Sequence, residues 1–143
     1  MKILITGTNG FIGGNLKDYF QRKNYKINTP KRNSLNLLNK NLVKEYLTQN
    51  KFDVVIHSAV TLDSIDQNLE MYFNIANCSE HYGKLICIGS GAEYDKRNYI
   101  PKMKESHFGK SIPDKKDIYG VASRKLKGDA LITKERKIIL GVL

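Results

Sequence analysis

Cysteine is scarce in this chain: there are two, Cys78 and Cys87, with no CxxC pair and no His/Cys cluster beside them. That excludes a disulfide framework and a structural zinc site, and leaves two packed thiols of a reducing compartment. No metal is expected. Long apolar runs are also lacking, since none approaches the roughly 18–20 residues of a membrane span. The opening MKILIT is too short an apolar stretch for a signal peptide, and glycines follow at once. A cytoplasmic protein with no membrane partner is the expectation. Internal repeats and low-complexity segments are missing too. Acidic residues are the minority, 14 against 24 Lys and Arg, giving a net charge of +10. The cations are dispersed, at Lys31-Arg32, Lys115-Lys116 and Arg124-Lys125-Lys127, and form no stripe interleaved with aromatics. They read as solvated surface that attracts anionic nucleotides, not as a nucleic-acid site.

What is present fits one soluble α/β domain over residues 1–143, with 41% apolar and 27% charged residues. Apolar runs alternate with amphipathic stretches, the pattern of a parallel sheet with helical crossovers. Strands are expected at Lys2–Thr6, Tyr25–Thr29, Asp53–His57, Lys84–Ile88 and Lys137–Leu143. Helices are expected at Phe11–Lys23, Asn41–Gln49, Asp63–His81 (closed by Gly83) and Tyr119–Lys134. Residues 91–117 have no clear period and hold Pro101 and Pro113. A loop of that length in a compact domain is usually functional. The expected architecture is a doubly wound parallel sheet of about five strands in the order 3-2-1-4-5.

The strongest motif is Thr6-Gly7-Thr8-Asn9-Gly10-Phe11-Ile12-Gly13, set between a buried strand and an amphipathic helix. That context makes it a dinucleotide-binding loop, the NAD(P)-binding Rossmann type. Gly7 permits the tight turn, Gly10 lets a pyrophosphate approach the backbone, and Gly13 lets helix and strand pack closely. Asn9, Phe11 and Ile12 complete the loop over the helix N-terminus, which favours an anion. An NAD site usually places an acid near the end of the second strand; here Thr29-Pro30-Lys31-Arg32 stands there, with no acid until Glu45. Lys31 and Arg32 suit the 2′-phosphate of NADP, so NADP is preferred over NAD.

These residues resemble the extended short-chain dehydrogenases of the NAD-dependent epimerase/dehydratase family, in particular its GDP-fucose synthase-like members. The opening ITGTNGFIGGNL, the stretch KRNSLNLLNKNLVKEYLTQNKFDVVIHSAV, and ICIGSGAEYD followed by PKMKE and DIYG carry the resemblance. It implies that Ser58, Ala59 and Val60 form the turn passing the cofactor ribose and that Asn68 lies near the cofactor. It further implies that Ser90 hydrogen-bonds the substrate oxygen, that Tyr119 is the acid/base, and that the substrate is a nucleotide-linked sugar. A tyrosine serves hydride transfer only if its pKa falls from about 10 toward neutrality, which a neighbouring ammonium would bring about. The family's lysine would come four residues after the tyrosine, where this chain has Ser123. Lys125 is the candidate cation, although at about 100° per residue it points roughly 200° around the helix.

Members of the family continue into a C-terminal substrate domain, and none is expected within these residues. The expected activity is therefore nucleotide-sugar epimerisation, dehydration or reduction, with little or no turnover by this chain alone. The alternative is a non-catalytic NAD(P)-binding module. Homodimerisation would cover the apolar edge left by the last strand.

Overall fold

The computed structural model describes residues 1–101, 104–132 and 138–142; the side chains of Lys96, Glu105, Tyr119 and everything after Lys127 lie outside the described residues. The elements run β1 (Lys2–Thr6), α1 (Phe11–Arg22), β2 (Lys26–Asn28), α2 (Lys40–Asn50), β3 (Phe52–His57), α3 (Ile65–Ala76), β4 (Tyr82–Gly89), α4 (Ile118–Ile132) and β5 (Ile138–Val142). All strand pairs are parallel, in one doubly wound sheet of order β2-β1-β3-β4-β5.

This order corrects the expected 3-2-1-4-5. The third strand does not sit outside the second; it pairs with β1, Ile5 opposite Ile56 and Thr6 opposite His57. Burial explains why. Phe52–His57 is mostly buried along its length and needs neighbours on both sides, whereas Lys26–Asn28 is short and half-exposed, as an edge strand should be. Residues 32–39 form turns, so the chain reaches α2 without adding a further edge strand.

Two apolar layers hold the sheet. On one face Leu4, Val55 and Leu85 align across β1, β3 and β4 and pack with Val43 and Leu47 of α2 and Tyr72 and Ile75 of α3. On the other, Ile3, Ile5 and Ile56 meet Leu16 and Phe20 of α1. Each fully buried side chain of this kind contributes roughly 1.5–3 kcal/mol relative to exposure. Helix α3 is shorter than the Asp63–His81 span expected. Ser64 caps its start by accepting from the Gln67 amide, and the Asn77 N–H folds back on Phe73 and Ile75 carbonyls to end it. Gly83 accordingly lies inside β4 instead of closing a helix. Among the described residues no helix is long and apolar enough to cross a membrane.

Candidate functional site

In a doubly wound sheet, ligands bind beyond the carboxyl ends of the strands where the order reverses, here between β1 and β3. The glycine loop occupies that point. Gly7 has φ +75, a conformation side chains rarely adopt, and a Cβ there would lie 2.5 Å from the Ala59 amide nitrogen. A Cβ on Gly13 would fall within 2.6 Å of the Gly7 carbonyl carbon and 2.8 Å of Ser58 Oγ. Both glycines therefore let β1, α1 and the turn after β3 meet backbone to backbone. Gly10 differs. It has ordinary extended geometry, and a Cβ would make only a 3.4 Å contact with the Gly7 carbonyl oxygen. The fold does not require Gly10, which leaves its open surface for a ligand. It is also the N-cap of α1 and supplies no side-chain hydrogen bond, so among the described residues the first-turn amides have no side-chain cap.

A pocket of about 280 Å³ opens beside this loop. Its walls combine Thr6–Asn9, the basic pair Lys31 and Arg32, apolar Leu35, Leu37 and Met71, and Ala59 and Val60 of the turn after β3. Lys31 and Arg32 are both exposed, with their charges at the rim. Asp63 and Gln67, one turn apart, line the opposite side, so the lining acid stands before α3 and not at the end of β2. Phe11 is 83% exposed at the start of α1, and Ile12 is half-buried beside it.

The strand ends beneath the pocket are tied by neutral polar groups. Thr6 Oγ1 and His57 Nδ1 lie 2.9 Å apart, and Ser58 Oγ donates to the Thr6 carbonyl at 2.6 Å. Burial pushes the His57 imidazole down to about 4, so it is neutral at pH 7. Asn68 is buried, and its amide is used at both ends on Thr61: Nδ2 donates to the carbonyl at 2.7 Å and Oδ1 accepts from the amide at 2.8 Å. Its place in the site is thus to fix the 58–61 turn. Burial also pushes the Cys87 thiol up to about 12, which removes it as a nucleophile.

A second, smaller cavity of about 20 Å³, room for a single water, shares Ala59 and Val60 with the first and extends to Ser58, Cys87 and Ser123. Ser123 is buried against it, whereas Lys125 is exposed and lines neither space. Ser90 follows the last residue of β4, half-buried, and its Oγ accepts from the Ala92 amide at 3.1 Å. Tyr119 is on the first turn of α4, with its side chain outside the described residues. The segments carrying Ser90 and Tyr119 touch directly. A Cβ on Gly120 would be 3.0 Å from the Ala92 carbonyl carbon and closer still to its oxygen. The Gly120 amide donates to Asp117 Oδ1 at 2.9 Å at the start of α4.

Sequence reasoning missed three parts of this arrangement. Leu35 and Leu37 wall the pocket; the LNLL run after the basic pair was the available signal. Gln67 and Met71 recur at helical spacing on one side of α3, with Asp63 just before its cap, another legible cue. Glu93 and Lys127 form an ion pair of 2.7 Å with side chains 2% and 12% exposed, and nothing local in the sequence marks it.

The chain is similar to the GDP-L-colitose synthase of Yersinia pseudotuberculosis, at 30% identity over 109 residues, covering 67% of this chain and 35% of that protein. It is also similar to the GDP-L-fucose synthase of Azorhizobium caulinodans, at 35% identity over 68 residues, 48% of this chain and 22% of that one. The GDP-mannoheptose C4 reductase from Campylobacter jejuni, solved with NADP bound, shares the fold with a TM-score of 0.82 at 23% identity, over 99% of this chain and 50% of that one. The chain therefore spans well under half the length of the curated relatives it matches. Its sequence matches the NAD dependent epimerase/dehydratase family over residues 3–137, nearly all of its length, and the chain belongs to that family.

Proposed function

We propose that residues 1–143 form one NADP-binding domain, the cofactor part of an enzyme that reduces, epimerises or dehydrates a nucleotide-linked sugar. The observation that carries this reading is the pocket at the β1/β3 reversal. It joins a glycine the fold does not need, an uncapped helix start and two rim cations. Gly10 and the α1 amides would hold the pyrophosphate. Lys31 and Arg32 would take the 2′-phosphate, and Leu35, Leu37 and Met71 would cover an apolar base face. When bound, the nicotinamide supplies or accepts the hydride. Ser90 would orient the substrate oxygen and Tyr119 would move the proton at that oxygen. The names of the relatives, each carrying a GDP-linked sugar, support a substrate of that class.

Calorimetric titration with NADP⁺ and NAD⁺ tests the reading. NADP⁺ is expected to bind more tightly than NAD⁺, and Arg32→Ala to erase most of that difference. Binding of neither nucleotide at millimolar concentration would remove the cofactor assignment.

A second reading, a non-catalytic NAD(P)-binding module, is favoured by one observation: Ser123 is buried one turn beyond Tyr119 while Lys125 is exposed. Ser123→Lys separates the two. A gain in NADPH oxidation with a GDP-linked keto sugar supports a weakened enzyme, and no gain supports the module.

A further inference from the structure

Glu93 and Lys127 form a largely buried ion pair that lies outside the cofactor pocket. A carboxylate and an ammonium withdrawn from water lose most of their hydration, and a well-packed apolar pair in their place is often at least as stable. Net stability therefore does not account for them, and their geometry is the better guide. Lys127 Nζ donates to Glu93 Oε1 at 2.7 Å and to Tyr94 Oη at 3.4 Å, and sits 4.8 Å over the Phe108 ring. Burial alone would lower the ammonium's pKa; the hydrogen bond and charge of Glu93, with Tyr94, outweigh it and leave it raised. One residue of α4 thus gathers three residues of the segment that follows β4. Arg124, one turn earlier, adds a hydrogen bond to the Ser111 carbonyl at 2.9 Å and lies 5.3 Å from the centroid of the same Phe108 ring.

The same segment carries Ser90. The Glu93 amide donates to the Ser90 carbonyl at 3.1 Å, so the two residues are locked in one turn. That turn rests on Gly120 through the Ala92 carbonyl, a close approach that is not itself a directional bond. The ion pair supplies the direction. We propose that Glu93 and Lys127 are positioning residues, whose buried pair sets where the Ser90 turn sits on the helix that carries Tyr119. The proposal rests on reading Ser90 and Tyr119 as the reacting pair. Neither Glu93 nor Lys127 lines the cofactor pocket, so the pair acts on one end of the site and leaves the other alone.

The test compares the chain with Glu93→Gln, with Glu93→Asp, and with the exchange Glu93→Lys combined with Lys127→Glu. Three readouts are taken: the backbone amide resonances of Ser90 and Gly120, the phenol titration of Tyr119 followed with ring-labelled tyrosine and assigned by Tyr119→Phe, and NADP⁺ affinity by calorimetry. Glu93→Gln is expected to displace both amides and the Tyr119 titration, and the exchange to bring them most of the way back. NADP⁺ affinity should stay within about twofold throughout, as for independent sites. Amides and titration unchanged in Glu93→Gln would overturn the proposal, as would an equal loss of NADP⁺ affinity. Should Glu93→Gln fail to fold, Glu93→Asp keeps the charge on an arm one methylene shorter, and unmoved amides there overturn it equally. If the unaltered chain binds no NADP⁺, the cofactor reading falls, while the amides of the ligand-free variants still decide the positioning.

Discussion

The two ends of the cleft are held together by different physics. At the β1/β3 end the contacts are backbone to backbone, allowed by glycines, and the polar groups are neutral: Thr6 with His57, Ser58 with the Thr6 carbonyl. At the β4/α4 end the ties are side-chain charges: Lys127 of α4 pairs with Glu93 in the turn after Ser90, and Arg124 donates to the Ser111 carbonyl further along. The first kind of joint tolerates no added atom. The second tolerates atoms but not the loss of one partner. The proposed cofactor site is thus built on backbone packing, whereas the proposed placement of Ser90 against α4 rests on a side-chain link between residues distant in sequence.

Gly13→Ala should break the first joint most severely. Its Cβ would press on the Gly7 carbonyl, backbone that cannot step aside, and the expected cost is about 3 kcal/mol or more. Urea unfolding, or failure to recover folded protein, measures it. Lys127→Met should come next, because it strands the Glu93 carboxylate in the interior at about 3 kcal/mol. Adding Glu93→Leu to Lys127→Met should recover most of that loss in the same unfolding experiment, since an apolar pair replaces the ionic one.

Acid separates the two joints in another way. The His57 imidazole is held down to about 4 by burial, below its ordinary 6.5. The unfolded chain therefore binds a proton at His57 that the folded chain refuses between those values. The stability this confers is present above about 6.5 and lost as pH falls toward about 4. A urea midpoint measured at pH 7 and at pH 4.5 should fall further for the unaltered chain than for His57→Asn. Equal falls would mean that His57 is accessible to protons in the folded state.

Gly10→Ala makes the smallest structural change and the most informative one. Its Cβ meets only an ordinary contact, so unfolding should shift by no more than about 0.5 kcal/mol. NADP⁺ affinity should nonetheless drop about tenfold or more, a loss of about 1.4 kcal/mol in binding. A variant that kept full affinity would show that no phosphate approaches this glycine.

The first joint was legible in the sequence because its determinants are consecutive. A strand, a glycine loop and an amphipathic helix follow one another within residues 2–22, and Lys31-Arg32 comes just after. The strand order was misjudged although the sequence held the clue. DVVIH is an unbroken apolar run suited to the middle of a sheet, while the residues around Lys26–Asn28 are polar enough for an edge. The second joint could not be read. Glu93 and Lys127 come together only when β4 and α4 pack, and each looks like an ordinary surface charge in its own neighbourhood. Ser123 was visible as a departure from the family pattern, but only the fold places it against a cavity with Lys125 facing solvent.

The central claim is that a nucleotide with an additional phosphate on its ribose lies along the β1/β3 crevice. Titration of isotope-labelled chain with NADP⁺, followed through backbone amide resonances, tests it most directly. The account predicts saturable shifts confined to Gly7–Gly13, residues 30–37 and residues 58–61, with smaller shifts at Lys31 and Arg32 when NAD⁺ is used instead. Shifts that do not saturate, or that gather away from these three segments, would contradict it.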